Sequence, residues 1–184
     1  MKTSLIRGNL SVKTYGNPEL KRKEEYMNTK GLGNIGEAKV LSSLIELGIP
    51  TYLQFGDNEP ADYIIIVDNN CLKVQVKTSS TYNGEKTNFD LTSSTAHRKN
   101  GIKHKYTKEE VDIFLCYDEK TKRIFIIKNE GNMSGISIRY RQSLNNQVSN
   151  VRMYSDFLLS VETLQEVSKA ISYDKEKVQT TIGN

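Results

Sequence analysis

Three side chains on a short predicted β-hairpin could act together on a phosphate group: Asp62, Gln75 and Lys77. Two strand-like runs flank Asn69 and Asn70, and asparagine tolerates the positive φ angles of a two-residue turn. If these asparagines form the turn, Asp62 lies directly opposite Lys77, with Gln75 on the neighbouring diagonal. Opposed Cβ atoms lie about 5 Å apart and diagonal ones about 7 to 8 Å, so the three side chains can converge.

This set of groups suits a hard divalent cation, which prefers oxygen ligands. Asp62 would anchor the metal, Gln75 would add a neutral oxygen, and the carbonyl of Val76 could add another. Lys77 would orient or deprotonate the attacking water and offset negative charge in the transition state. The alternative is a plain cross-strand ion pair between Asp62 and Lys77, which the spacing alone favours.

Glu37 could supply a second carboxylate to such a site. It lies near the start of a predicted helix, beside Gly36 and between the apolar positions Ile35 and Ala38, where a partly inward acid is less expected. A carboxylate delivered from a packed helix would complete the metal site. A solvent-facing helical glutamate is the alternative that remains open.

The elements that must hold these residues follow from the hydrophobic pattern. One amphipathic helix is predicted from Asn34, ending at Gly48 and Pro50, with apolar positions at Ile35, Ala38, Leu41, Leu44 and Ile45. Strands are predicted over 50–55, 62–67, 71–77, 88–91, 111–117, 123–128 and 135–139. A second helix begins at Ser160, with apolar positions at Val161, Leu164, Val167 and Ile171. This order predicts a single α/β domain.

Length and composition indicate one globular domain with a polar surface. The chain has 184 residues, of which 36% are hydrophobic and 26% charged, which argues against a disordered chain. No apolar run approaches the ~18 residues of a membrane span and no signal-peptide core is present, so we expect an intracellular protein without a membrane partner. Cys71 and Cys116 lack the spacing of a zinc site or disulfide framework and are predicted to be small buried hydrophobic residues.

Positive charge is concentrated in two segments without acids, although the net charge is only +4. One segment lies between Asp90 and Glu109 and the other runs from Gly131 to Ser155. Lys and Arg neutralise phosphates, and Asn, Gln and Tyr bond sugars or base edges, so both segments suit nucleic acid, with solvated loops as the alternative. The predicted DNA contacts are Arg98, Lys99, Lys103, Lys105, Arg139, Tyr140, Arg141, Asn146 and Arg152.

Three motifs together resemble the PD-(D/E)XK nuclease superfamily. They are Gly33-Asn34-Ile35-Gly36-Glu37-Ala38, Pro60-Ala61-Asp62-Tyr63 and Val74-Gln75-Val76-Lys77-Thr78. Within the superfamily the chain is most similar to bacterial group I intron homing endonucleases, in which a Gln replaces the usual second acid. The resemblance covers about residues 31 to 158. Gln75 removes one charge from the site, and Glu37 would restore the missing carboxylate.

The resemblance implies a restriction-endonuclease-like α/β core, a central mixed β-sheet flanked by helices. It implies hydrolysis of double-stranded DNA with Mg²⁺, for which Mn²⁺ could substitute. The implied catalytic residues are Glu37, Asp62, Gln75 and Lys77, and the implied metal ligands are Asp62, Gln75, Val76 and Glu37. Members act as oligomers, so a homodimer or homotetramer is expected, located in the cytoplasm and associated with the nucleoid through DNA.

The predicted organisation is an N-terminal arm over 1–30, a nuclease domain over 31–172 and a flexible tail over 173–184. A Holliday junction resolvase or a restriction endonuclease of the same fold would use the same four residues. A non-catalytic DNA-binding module would retain the same basic segments.

Two further patterns carry less weight. The GxGxxG pattern over 31–36 lacks the preceding strand of a dinucleotide-binding fold. His97 and Asn100 hint at a His-Asn nuclease, but two histidines without a cysteine pair are too few ligands for its metal site.

Overall fold

A computed structural model describes residues 29–54, 59–94, 103–142 and 152–182 of the chain. Two α-helices lie in these ranges, α1 (Thr29–Glu46) and α2 (Val161–Ile182), with a short 3-10 helix at Tyr154–Phe157. The strands are β1 (Thr51–Leu53), β2 (Tyr63–Val67), β3 (Asn70–Ser79), β4 (Lys86–Asp90), β5 (Thr92–Ser94), β6 (Lys103–Lys105), β7 (Ile113–Asp118), β8 (Arg123–Lys128) and β9 (Gly135–Arg139).

Five strands form one mixed sheet in the order β1-β2-β3-β7-β8. Strands β3 and β7 are parallel, and the other neighbours are antiparallel. Two smaller antiparallel ribbons pair β4 with β9 and β5 with β6. The expected α/β fold with a central mixed sheet flanked by helices is therefore confirmed.

The two faces of the central sheet are covered by different elements. On one face, Val74 and Val76 of β3 pack with Val40 of α1 and Leu164 of α2. On the other face, residues of β7 and β8 pack against the β4–β9 ribbon through Phe114, Cys116, Phe125, Ile127, Phe89, Ile136 and Ile138. The alternation predicted for β3 is confirmed, and it directs Gln75 and Lys77 away from the helices.

Helix α1 begins earlier than predicted, at Thr29, and of the predicted apolar positions only Leu41 and Leu44 pack in the core. Its buried residues are Gly36, Val40 and Leu44, whereas Ile35 is 37% and Ile45 64% exposed. The reason is a close contact at Gly36, where a Cβ on the glycine would lie 1.7 Å from Thr78 Oγ1. Because a glycine contributes no apolar side chain to the hydrophobic pattern, the pattern misplaces the first part of the buried side.

The hairpin between β2 and β3 turns one residue earlier than predicted. Asp68 and Asn69, with φ angles of 49° and 65°, form the turn instead of Asn69 and Asn70. Tyr63 is therefore paired with Val74, and the Asp62 N–H donates to the Val74 carbonyl at 2.8 Å, which places Asp62 beside Gln75 and not opposite Lys77. Each residue of β2 is paired two positions earlier in β3 than predicted, so the polar residues stay on the predicted face.

Two other predictions are corrected. Cys71 is exposed, because it shares the uncovered face of β3 beside the turn, whereas Cys116 is buried as predicted. Strands β5 and β6 lie outside the predicted elements, since three-residue polar strands carry no apolar alternation.

Helix α2 continues to Ile182, through most of the segment predicted to be a flexible tail. Two ion pairs hold this extension against the sheet: Lys128 with Asp174 at 2.7 Å and Lys175 with Asp112 at 2.8 Å. Neither helix of the described chain is long and apolar enough to cross a membrane.

Candidate active site

The β2–β3 hairpin brings a carboxylate, an amide and a backbone carbonyl to one point. Gln75 Nε2 donates to Asp62 Oδ2 at 2.5 Å and to the Val76 carbonyl at 3.2 Å. The Val76 N–H also donates to Asp62 Oδ2, at 2.6 Å. The amide nitrogen of Gln75 therefore lies where a carboxylate oxygen and a carbonyl oxygen converge.

This donor set fits a small hard cation. Rotation of the Gln75 amide about its last bond exchanges nitrogen for oxygen, which would present Oε1 beside the oxygens of Asp62 and Val76. Three such oxygens and a nearby carboxylate are the ligand types that Mg²⁺ prefers. No group of three or more His, Cys, Asp or Glu side chains surrounds one point in the part of the chain that the structure covers.

Burial makes the carboxyl of Asp62 harder to ionise than an exposed one. Burial, with a smaller contribution from the negative charge of Glu37, raises the pKa of this carboxyl to about 6. The Val76 N–H, the Lys77 ammonium and the Gln75 amide lower the pKa but do not offset burial. A cation bound at Asp62 would favour the ionised carboxylate.

Glu37 lies at the border of this site. The Tyr63 hydroxyl, which belongs to the hairpin, donates to the Glu37 carbonyl at 3.0 Å and ties α1 to β2. The Glu37 side chain is exposed rather than turned partly inward, as are its neighbours Ile35 and Ala38. Partial burial still raises the pKa of Glu37, and its charge acts on Asp62. The close contact at Gly36 is what brings this carboxylate near the hairpin.

Lys77 is held by partners that the sequence does not indicate. Its Nζ donates to the Thr92 carbonyl at 2.9 Å and to the Tyr106 hydroxyl at 3.2 Å, and lies 4.8 Å from the Tyr106 ring centroid. Burial lowers the pKa of Lys77, although Asp62 acts to raise it. Among the described residues no ion pair joins Lys77 to Asp62, so the plain cross-strand ion pair does not describe this arrangement.

Thr92 and Tyr106 carry no sequence signal, for a structural reason. They belong to or follow the short β5–β6 ribbon, which reaches Lys77 through tertiary packing. No sequence spacing relates either residue to the hairpin.

The predicted DNA contacts are spread over the surface. Lys103 forms an ion pair with Asp90, whereas Lys105, Arg141 and Arg152 are exposed and Arg139 is half-buried. Arg98, Lys99 and Asn146 lie outside the described residues, as do His97 and Asn100.

Tyr140 has its hydroxyl engaged in the protein. It donates to Asp118 Oδ2 at 2.6 Å, and burial followed by this hydrogen bond raises the pKa of Tyr140 to about 12. Its ring stacks on Tyr154, and the Arg123 guanidinium lies 5.4 Å from the ring centroid. Both the hydroxyl and the ring of Tyr140 are therefore engaged in contacts within the protein.

Comparisons with known proteins agree with this geometry. The family model described as PD-(D/E)XK endonuclease matches residues 27–160. A solved bacterial homing endonuclease, I-Ssp6803I, has a similar fold, with a TM-score of 0.60 and 18% sequence identity over 78% of this chain and 97% of that chain. No curated protein matches the sequence.

The family match spans well over half of the chain and contains all three motifs that meet around Asp62. It also contains Lys77 and both residues that hold its ammonium group. The chain therefore belongs to the PD-(D/E)XK endonuclease family, and it is a deoxyribonuclease.

Proposed function

We propose that this endonuclease uses a divalent cation, Mg²⁺, to hydrolyse phosphodiester bonds of double-stranded DNA at specific sites, as a homing-type enzyme. The observation that carries the proposal is the convergence of Asp62 Oδ2 and the Val76 carbonyl on the Gln75 amide. Lys77 shares that face of the hairpin.

Four residues would hold the metal: Asp62 and Glu37 through carboxylates, Gln75 through its amide oxygen and Val76 through its carbonyl. When bound, Mg²⁺ would polarise the phosphate and make the attacking water more acidic. Asp62 and Glu37 supply the negative charge that attracts it. Because Gln75 is neutral, Glu37 would be the second acidic ligand.

Lys77 is the proposed proton carrier and charge stabiliser. Two of its three N–H donors are committed to Thr92 and Tyr106, which leaves one for the water or a phosphate oxygen. Burial lowers its pKa, so the amine is easier to deprotonate than an exposed lysine. Lys77 would therefore orient the water and offset charge on the phosphate oxygens in the transition state.

The homing type and the oligomeric state are also proposals. The fold similarity to a bacterial homing endonuclease supports the first. One active site cuts one strand, so a double-strand break requires two, which favours a homodimer or homotetramer. Cleavage products and sedimentation of the full chain test these two points separately.

The decisive experiment is DNA cleavage with Mg²⁺, Mn²⁺ or EDTA. Wild type is compared with Asp62→Ala, Lys77→Ala and the control Lys169→Ala, which alters an exposed lysine on α2. The substrates are plasmid DNA carrying the gene neighbourhood with any intron removed, a mixed-sequence plasmid and a four-way junction.

We expect metal-dependent cutting into discrete fragments, abolished by Asp62→Ala and Lys77→Ala but not by Lys169→Ala. Cutting of the junction alone would indicate a resolvase. Absence of cutting on every substrate, with duplex still bound, would indicate a DNA-binding module and overturn the catalytic proposal.

A further inference from the structure

The β4–β9 ribbon has one buried face and one solvent-facing face. Thr87, Phe89, Ile136 and Ile138 are almost fully buried against the central sheet. The alternate positions point outward and carry polar or basic side chains: Lys86, Asn88, Ser137 and Arg139. The outer face thus presents functional groups that the core does not use.

Lys86 and Arg139 are directly opposite each other in this ribbon. Like charges in directly opposed positions of an antiparallel pair destabilise a sheet. Among the described residues neither side chain forms an ion pair, not even with the adjacent Glu85. This arrangement is unfavourable for the isolated protein and becomes favourable when an anion binds between the two cations.

A third cation lies beside this pair. The Arg139 N–H donates to the Arg152 carbonyl at 2.9 Å, so the exposed Arg152 flanks the end of β9. At the opposite end of the ribbon, Asp90 is paired with Lys103. The outer face therefore carries concentrated positive charge at one end, and at its other end the negative charge of Asp90 is offset by Lys103.

Between the two ends lies a polar pair suited to base edges. The Ser137 hydroxyl donates to Asn88 Oδ1, which orients the amide. In the described chain the Asn88 Nδ2 group has no hydrogen-bond partner, so its donors are available. Asn is a side chain that reads adenine edges in the major groove.

The ribbon also lies close to the active site. Lys77 Nζ donates to the Thr92 carbonyl, and the Thr92 N–H donates to Asp90 Oδ1 at 2.9 Å, so the Asp90 end of β4 is the near end. Lys86 is at the other end of the strand, about 14 Å from Asp90 at ~3.4 Å per residue. A duplex cut at Lys77 could therefore extend along the ribbon toward the basic end.

From these observations we propose that the outer face of the β4–β9 ribbon enters the major groove of duplex DNA. Lys86, Arg139 and Arg152 would contact phosphates, while Asn88, held by Ser137, would contact base edges. The major groove is wide enough for a two-stranded ribbon. This inference rests on the proposed function and deepens it by naming the surface that selects the DNA sequence.

The first test measures binding without cleavage. The full chain in EDTA is titrated against a fluorescent random-sequence duplex at salt concentrations between about 50 and 200 mM. Lys86→Ala and Arg139→Ala are each expected to weaken binding about three- to tenfold and to reduce the salt slope by about 0.9. The control Lys169→Ala should change neither quantity.

Thermal unfolding separates this role from a structural one. Because each substitution removes a like-charge contact, the melting temperature of Lys86→Ala and Arg139→Ala should equal or exceed that of wild type. Unchanged affinity and salt slope in both variants would overturn the proposal. So would weaker binding accompanied by a lowered melting temperature.

The second test concerns sequence. Duplexes selected from a random pool by wild type are compared with those selected by Asn88→Ala and Ser137→Ala. We expect altered preference at one or two positions with an unchanged salt slope. An identical preference in both variants would overturn the base contact.

These outcomes are distinct from failure of the catalytic proposal. Ribbon-dependent binding without any cleavage would overturn the proposed catalytic function but not the proposed DNA-binding surface. Cleavage accompanied by binding that does not depend on the ribbon residues would overturn this inference alone.

Discussion

Gly36 packs against Thr78 so closely that a Cβ at position 36 would lie 1.7 Å from Thr78 Oγ1 and 2.9 Å from Thr78 Cβ. This contact sets the distance between α1 and β3, and hence the position of Glu37. We expect Gly36→Ala to push the helix away, to lower the free energy of unfolding by about 1 to 3 kcal/mol and to reduce cleavage. Urea unfolding and the cleavage rate measure the two effects.

The matched control is Gly33→Ala in the same helix. Nothing lies within 4 Å of a Cβ at that position, and alanine is the better helix former by about 1 kcal/mol. Gly33→Ala should therefore be neutral or stabilising. Equal losses in both variants would show that the contact between Gly36 and Thr78 is not the cause.

Asp62 makes stability depend on pH. Its pKa is about 6 in the folded protein, against 3.8 ordinarily. The folded state therefore binds more protons between these values, and the free energy of unfolding falls as pH rises through this window, by at most about 3 kcal/mol. In EDTA, Asp62→Asn should be more stable than wild type above pH 6, and the difference should vanish below about pH 4.

Chemical denaturation at several pH values measures this difference. Asp68→Asn, an exposed carboxylate in the same hairpin, is the control and should show no comparable gain. A gain for Asp62→Asn that is independent of pH would contradict burial of the charge as the cause.

A divalent cation should reverse this ranking. A metal that binds only the folded state stabilises it by an amount that grows with concentration, about 2.7 kcal/mol at a hundred times the dissociation constant. Mg²⁺ or Mn²⁺ should therefore raise the melting temperature of wild type but not that of Asp62→Asn. Gln75→Ala should show an intermediate shift. Equal shifts in all three proteins would place the metal elsewhere.

Much of the fold can be predicted from local pattern. The alternation around Val74 and the apolar run of β2 identify the hairpin, because burial on one face imposes a period of two. The exact turn is harder to predict because Asp68, Asn69 and Asn70 all tolerate turn conformations, and only packing selects two of them. The residue types of the site are thus predictable, although Asp62 lies beside Val74 and Gln75 rather than opposite Lys77.

The partners of Lys77 cannot be predicted from sequence. They are a backbone carbonyl and a tyrosine hydroxyl, delivered by a ribbon whose strands have no hydrophobic period. The buried side of α1 is hard to predict for a related reason, since the contact at Gly36 is made by a residue without a side chain. Both features depend on tertiary packing.

Tyr106 is expected to position Lys77 for catalysis. Tyr106→Phe retains the ring and removes the hydroxyl that accepts from Lys77 Nζ. Loss of one hydrogen bond, about 1 kcal/mol, should lower kcat about fivefold and leave KM unchanged. Steady-state kinetics measure both. Tyr82→Phe, which removes a hydroxyl bonded to the Gly84 carbonyl, is the control and should retain wild-type kcat.

The parallel pairing of β3 with β7 has a consequence for how the enzyme matures. The hairpin of β2 and β3 is local and can close early, but β7 joins β3 only after the intervening chain over 80–112 has crossed over. Contacts that distant in sequence slow folding. Asp62 and Gln75 can thus meet early on a nascent chain, whereas Lys77 gains its partners only after Thr92 and Tyr106 have been synthesised. The active site is therefore complete only after the β5–β6 ribbon has packed against the hairpin.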